Sequence, residues 1–318
     1  MMNYESVKGK NVMVTGAAGV IGKELLNILI SKDANVLSVD RLPLPEGDYG
    51  KVKHIMMDLA VDSYDELIEF KPEVIIHLAA AFERSGESPD FWGTNWHDNN
   101  LVSHRLVDFI KQLPSLEVFV FASSYLLYNP SLYLSNTQRD GVTYLREDDV
   151  IIPRNLCGAS KFYTEREIEF VRKVVKPELR QVNARIYRVY GRGSKDVISR
   201  WIRNGLANEN IETYNKDNQF DYIFAGDVAE GLLVLAENGN AMGNVNLGSG
   251  VARSVNDVLN ILLDLNILDE SLIIDKGVTE DFEASCADLT RLKSLTGWVP
   301  PTDLKTGIKK IIDYERGI

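Results

Sequence analysis

Through the first two thirds of the chain, short apolar runs alternate with longer amphipathic ones. Asn11–Thr15 reads as a buried strand, and 22–31 as a helix carrying Leu25, Leu26, Leu29 and Ile30 on one face. The pattern predicts further strands at Asn35–Asp40, 52–57, 74–79, 118–122 and 181–187. It predicts helices at 63–70, 95–113 and 158–175. Strands of continuous apolar character alternating with helices specify an α/β fold: a doubly wound parallel sheet covered on both faces. Beyond about residue 190 the rhythm weakens. Helical periodicity returns at 199–207, 227–237, 254–265 and 303–314, with short strands between. The expected organisation is a sheet domain over 1–188 and a smaller α/β domain over 189–318, with some elements crossing between them.

Composition narrows the function. The 318 residues are 45% hydrophobic and 25% charged, an ordinary globular mix that excludes a disordered or collagen-like chain. The net charge of −11 makes nucleic acid and anionic membrane poor partners. Two cysteines, Cys157 and Cys286, provide neither a disulfide framework nor a zinc set, so no metal site is expected. No apolar run approaches the roughly 20 residues that cross a bilayer, and the first 16 residues contain no apolar signal core. A soluble, cytoplasmic protein is the expectation.

The strand NVMVT runs into GAAGVIG, which places Gly16, Gly19 and Gly22 three residues apart before a helix. Such a loop turns tightly and presents backbone N–H groups to a pyrophosphate at a helix N-terminus. Asp40, 18 residues beyond Gly22, ends the second strand. A carboxylate there accepts hydrogen bonds from the adenosine ribose and repels a 2′-phosphate, which favours NAD over NADP. Arg41 beside it offers the opposite option, a guanidinium to accept that phosphate or stack on adenine. His77, on an apolar strand, reads as a core histidine, and Trp92 and Trp96 as core or dimer-face residues.

Several motifs in order make the chain resemble the extended short-chain dehydrogenase/reductases, the superfamily of nucleotide-sugar epimerases and dehydratases. TGAAGVIG at 15–22 resembles the opening motif and brings Val20 and Ile21 into it. Asp58 and Leu59 resemble the adenine-contacting pair. HLAA at 77–80, with Leu78, Ala79 and Ala80, resembles the segment beneath the cofactor. Asn95 matches an asparagine opening the long helix. RIYRVYG at 185–191, with Ile186, resembles the strand-to-loop motif. NLGSG at 246–250 and LTGWVPPTDLKTG at 295–307 are similar to the C-terminal signature. The resemblance implies a Rossmann-type fold, bound NAD, a nucleotide-sugar substrate, and a homodimer through helices 95–113 and 158–175.

It also implies a catalytic set of serine, tyrosine and lysine. FASSYLLY makes Ser124 the serine, and PRNLCGASK makes Lys161 the lysine. The position four before Lys161, where the family's tyrosine stands, is Cys157. A thiol one bond beyond Cβ does not reach where a phenol oxygen acts. Four accounts stay open: another base (Tyr125, Tyr128, Tyr163, Glu83 or His97), a water relay to Lys161, a specialised slow enzyme, or an introduced Tyr-to-Cys change. A small inert Cys157 is as plausible as a reactive one.

The substrate side departs too. Phe220 stands where the family commonly has an arginine, and VTEDFEAS at 278–285 contains no cation. A basic run over 187–203 supplies alternatives, and Arg188, Arg192 and Arg200 are the expected anion contacts. Arg188 stands where the family more often has an asparagine that touches the substrate. The resulting reading is an NAD-dependent oxidoreductase that takes hydride from a carbinol of a nucleotide-linked sugar, of 4-dehydrogenase or 4-epimerase type. Tyr125-Leu126 after Ser124 counts against dehydration. The alternative is a non-catalytic NAD-binding scaffold or redox sensor.

Overall fold

The computed structural model describes residues 6–45, 47, 49–82, 89–135, 141–277 and 282–318. In chain order the first half runs β1 (Asn11–Thr15), α1 (Val20–Ser31), β2 (Asn35–Asp40), β3 (Val52–Met56), α2 (Asp65–Phe70), β4 (Val74–His77) and α3 (Phe91–Asn95). A π-helical stretch (Trp96–Leu101) then leads into α4 (Val102–Ile110), β5 (Val118–Ser124), β6 (Leu134–Ser135), β7 (Thr143–Leu145) and α5 (Leu156–Val174). The second half runs β8 (Arg180–Ile186), β9 (Arg188–Tyr190), α6 (Val197–Leu206), β10 (Ile211–Thr213), β11 (Gln219–Phe224), α7 (Ala225–Glu237), β12 (Gly243–Leu247) and β13 (Ala252–Ser254). It closes with α8 (Val255–Asp264), β14 (Ile273–Asp275), β15 (Phe282–Glu283), β16 (Ser285–Ala287), α9 (Thr290–Thr296) and α10 (Leu304–Glu315).

Seven strands form one parallel sheet in the order β12-β8-β5-β4-β1-β2-β3. Its strands read as unbroken apolar runs because both faces are covered. Val12, Val14, Ile76, Val118 and Val120 point to one face, against Leu25, Leu26 and Leu29 of α1 and Val228, Leu232 and Leu235 of α7. Met13, Ile75, Phe119 and Phe121 point to the other, against Leu106, Val107 and Ile110 of α4 and Ile168 and Val171 of α5. The chain order reverses between β1 and β4, the position at which such sheets bind ligands beyond their carboxyl ends.

α7 and β12 both follow residue 189, yet both complete this sheet's core. A separate core gathers Tyr190, Trp201, Phe220, Tyr222, Leu262 and Ile308. The helix expected over 95–113 starts earlier, at Phe91, and its middle turn is π-helical. Asn95 therefore lies inside the helix and does not open it. Trp92 and Trp96 are exposed on its surface, which excludes the core reading for both.

Candidate active site

Four segments meet at the carboxyl ends of β1, β4 and β5. The glycine loop is the first. Gly16 has φ 70°, and a Cβ there would lie 2.6 Å from the Ala79 amide nitrogen. The loop can therefore press against residues 78–79 only with glycine at this position. Gly19 caps α1 with no side-chain hydrogen bond, which leaves the first-turn N–H groups unclaimed by side chains. Val20 and Ile21 form that first turn. Asp40 braces the loop: one carboxylate oxygen accepts the Ala18 N–H at 3.0 Å and the other the Leu42 N–H at 3.0 Å. A bare helix start, a cradle that a Cβ would fill and an acid at the end of β2 fit a dinucleotide. His77 is fully buried. Its Nδ1 lies 2.6 Å from the Thr15 hydroxyl and its Nε2 3.1 Å from Ser103 Oγ, and burial pushes its pKa down to about 3. It is a neutral core histidine, as its setting on an apolar strand predicts.

Arg41 is not left to meet a phosphate. Its Nη1 and Nη2 bond both oxygens of Asp98 at 3.0 and 2.8 Å, and Asp58 lies 3.9 Å away. Asp58 otherwise caps its own turn, accepting the Ala60 N–H at 2.8 Å, and Leu59 is buried.

The π-helical stretch aims three consecutive side chains at different partners: Asp98 at Arg41, Asn99 at the Ala81 backbone, and Asn100 at Ser160. π turns of this kind are frequent at functional sites. Asn99 accepts the Ala81 N–H at 2.8 Å and donates to its carbonyl at 3.0 Å. Asn95, also buried, bonds Ser160 Oγ at 3.0 Å. Asn95 thus fastens this helix to α5.

Ser124 ends β5 and caps the turn that follows, its Oγ accepting the Leu126 N–H at 3.2 Å. α5 starts directly on that turn. A Cβ on Gly158 would lie 2.5 Å from the Leu126 carbonyl, and the Arg154 N–H donates to the same oxygen at 2.8 Å. The sequence thereby brings Ser124 beside the first turns of α5, which carry Cys157 and Lys161. The Lys161 ammonium stands 4.7 Å from the centre of the Phe121 ring. No carboxylate among the described residues pairs with it, and burial pulls its pKa down to about 8. The Cys157 thiol is buried, 3.7 Å from the Ala81 carbonyl and 3.9 Å from Asn99 Nδ2. Ile186, the last residue of β8, is buried beside this floor.

The candidate substitute bases are engaged elsewhere. Tyr128 donates to Asn246 Oδ1 at 2.6 Å, Tyr125 faces Glu283, and burial raises both phenols. Tyr163 is exposed and bonds Glu167, and His97 bonds Asp98. Glu83 lies outside the described residues.

Of the three arginines expected to bind anions, only Arg188 reaches this cleft. Arg192 is committed to Glu24 of α1 through both Nε, at 2.9 Å, and Nη2. A guanidinium paired two-to-two with one carboxylate is neutralised, which removes Arg192 from the set. Arg200 sits on the exposed face of α6. Sequence reasoning did not single out Asp98, Arg154 or Glu283. Arg154 stood within the quoted PRNLCGASK segment, but its partner Glu283 is 129 positions away, and no spacing rule links the two.

Residues 12–248 match the NAD-dependent epimerase/dehydratase family. The chain belongs to that family. Its members include a putative UDP-glucose 4-epimerase of Methanocaldococcus jannaschii, 29% identical over 95% of this chain and 97% of that one. The UDP-glucose 4-epimerase of Mycolicibacterium smegmatis is 24% identical over 96% and 98%. Among solved structures, MoeE5 in complex with UDP-glucose and NAD superposes with a TM-score of 0.81 at 30% identity, covering 96% of this chain and 98% of MoeE5. Family membership places the chain among the extended short-chain dehydrogenase/reductases, NAD-dependent enzymes with this two-domain fold. No described helix is long and apolar enough to cross a membrane.

Proposed function

We propose that this enzyme oxidises a carbinol of a nucleotide-linked sugar, with Lys161 taking the place of the family's tyrosine in handling the proton. The observation that carries the proposal is the convergence of the glycine loop, the 78–81 segment, Ser124 and Lys161 at one end of the sheet, with the thiol of Cys157 buried against Ala81 and Asn99. UDP-sugars bound to MoeE5, including UDP-glucose, support the substrate class.

In this reading Gly16, Gly19, Val20, Ile21 and Gly22 hold the pyrophosphate of NAD, Asp40 its adenosine ribose, and Asp58 and Leu59 the adenine side. Leu78, Ala79 and Ala80 line the path to the nicotinamide end, with Ile186 behind it. When bound, NAD supplies the hydride acceptor. Ser124 hydrogen-bonds the reacting sugar hydroxyl. Lys161, largely enclosed and free of a carboxylate, becomes neutral near pH 8 and then accepts that hydroxyl's proton, directly or across one water in the space where the family has a phenol ring. Asn95, Asn99 and Ser160 fix the start of α5 and with it the lysine.

Each nucleotide sugar of a panel is added to the purified protein while absorbance is followed across the reduced-nicotinamide band. Reduction of bound cofactor by one sugar is expected. NMR of the recovered sugar then separates a 4-epimerase, which returns an inverted carbinol, from a 4-dehydrogenase, which leaves a ketone. If the cofactor is bound and no sugar reduces it, the chain is a cofactor-binding scaffold, the reading that Cys157 favours.

The assembly follows from the surface. Trp92 and Trp96 on one helix and Tyr163, Phe170 and Val174 on α5 are exposed on two helices joined by a 2.6 Å His104–Glu167 contact. We infer that this apolar face pairs with its own copy in a homodimer. Sedimentation velocity is expected to give a dimer that Phe170→Glu converts to monomer.

A further inference from the structure

One charged cluster at the cleft is not used by hydride transfer. Glu283 of β15 is buried, its side chain 3% exposed, and two guanidiniums converge on the same oxygen. Arg154 Nη1 lies 2.6 Å from Oε2 and Arg188 Nη2 3.2 Å from it. The other oxygen receives Ser285 Oγ at 3.2 Å and the Tyr125 hydroxyl at 3.4 Å. The Arg188 guanidinium lies 3.7 Å from the centre of the Phe220 ring, and Arg154 5.9 Å from that of Tyr133.

Two features go beyond what packing requires. One arginine suffices to neutralise Glu283, so among the described residues the cluster has an excess positive charge in a chain whose net charge is −11. The arginines also keep donors for another partner. Their side chains are 29% and 37% exposed, and Arg188 Nε is buried with no hydrogen-bond partner. β9 and β11 are paired so that Arg188 lies opposite Tyr222, two residues from Phe220. The cation absent from position 220 is thereby supplied from across the strand pair, stacked on the ring that replaced it.

The excess charge lies beside the reacting end of the cleft. Tyr125, which touches Glu283, follows Ser124 directly. Arg154 precedes Cys157 by three residues and is tied through its backbone to Leu126. We propose that Arg154 and Arg188, splayed by Glu283, form a subsite for a carboxylate on the sugar ring, so that the preferred substrate is a nucleotide-linked uronic acid. A planar carboxylate matches the donor forks of two guanidiniums held by a common anchor. This assignment rests on the nucleotide-sugar reading.

The test is a calorimetric titration of the NAD-loaded protein with UDP-glucuronic acid, UDP-glucose and UDP. The first two differ only in carboxylate against hydroxymethyl at the sugar's end. UDP-glucuronic acid is expected to bind at least about 10-fold more tightly than UDP-glucose. Arg154→Gln and Arg188→Gln are expected to abolish that preference while changing the affinity for UDP less than about 3-fold. Equal affinity of the wild-type protein for the two sugars overturns the proposal without any variant. Equal losses for both sugars and UDP overturn it too, since the arginines would then serve the diphosphate or the fold. If UDP and UDP-glucose bind and only the carboxylate preference is missing, the nucleotide-sugar reading survives. If none of the three binds, that reading falls as well.

Discussion

The cofactor loop and the reacting end of the cleft lie at the ends of neighbouring strands but are built on different physics. The loop works through backbone: N–H groups at the start of α1, and a close approach to residues 78–79 that only Gly16 permits. Backbone geometry of this kind tolerates little substitution, and the family pattern is intact there. The reacting end works through side chains, which can exchange roles. Where the family resemblance implies a tyrosine and an arginine stand a buried Cys157 and Phe220, and the cations gathered at this end are Arg188 and Arg154. A site made of backbone depends on which positions are glycine, whereas a site made of side chains depends on which groups the fold brings together.

The sharpest test of the backbone half is Gly16→Val. Its Cβ would meet backbone atoms under 3 Å away at a φ of 70°, where β-branched residues are strained. A loss of roughly 3 kcal/mol or more is expected, read as a lowered melting temperature that NAD no longer raises. A variant still stabilised by NAD would break the claim that the backbone alone makes this half.

For the side-chain half, Lys161→Met is expected to lower kcat by about 100-fold or more, within the range for a lost proton-transfer group. The melting temperature should hold or rise, because an enclosed cation is removed. The pH dependence follows from the lowered pKa. The amine is protonated below about 8 and accepts a proton only above it, so kcat/KM of the wild-type enzyme rises with pH and levels off past that value. A profile flat across this range removes Lys161 from the proton path. Cys157→Ser is expected to change kcat by less than about 3-fold, because the thiol is buried against the Ala81 carbonyl and Asn99, which a hydroxyl can also meet. A 100-fold loss would bring the thiol back into the chemistry.

A further effect sits where the halves meet. Asp98 holds Arg41 in a two-to-two pair, so the guanidinium is spent before a 2′-phosphate arrives. Asp98→Ala is expected to bring the NADP and NAD dissociation constants about 10-fold closer, by fluorescence titration. An unchanged ratio would leave the discrimination to Asp40 alone.

Legibility in the sequence followed the same division. The strands at Asn11–Thr15 and Asn35–Asp40, the glycine loop and the alternation of strands with helices were readable, because period and spacing are local. The π turn in the middle of the long helix was not legible, since it leaves no mark in a 3.6-residue pattern. The pairing of Arg192 with Glu24 was not legible, because the two are 168 positions apart. Lys161, Ser124 and the Cys157 gap were visible as motif positions, but the direction of the thiol was not.

By itself, then, the sequence determined a doubly wound sheet, a glycine loop before a helix, and Ser124 and Lys161 at motif positions with Cys157 between them, since each is written in residues close along the chain. Only the tertiary structure decided which cations are spent and which remain available. Arg41 is closed by Asp98 and Arg192 by Glu24, while Arg154 and Arg188 share Glu283 and keep a charge in excess. The reason is that neutralisation depends on distance in space, and the fold sets those distances between residues far apart in the chain.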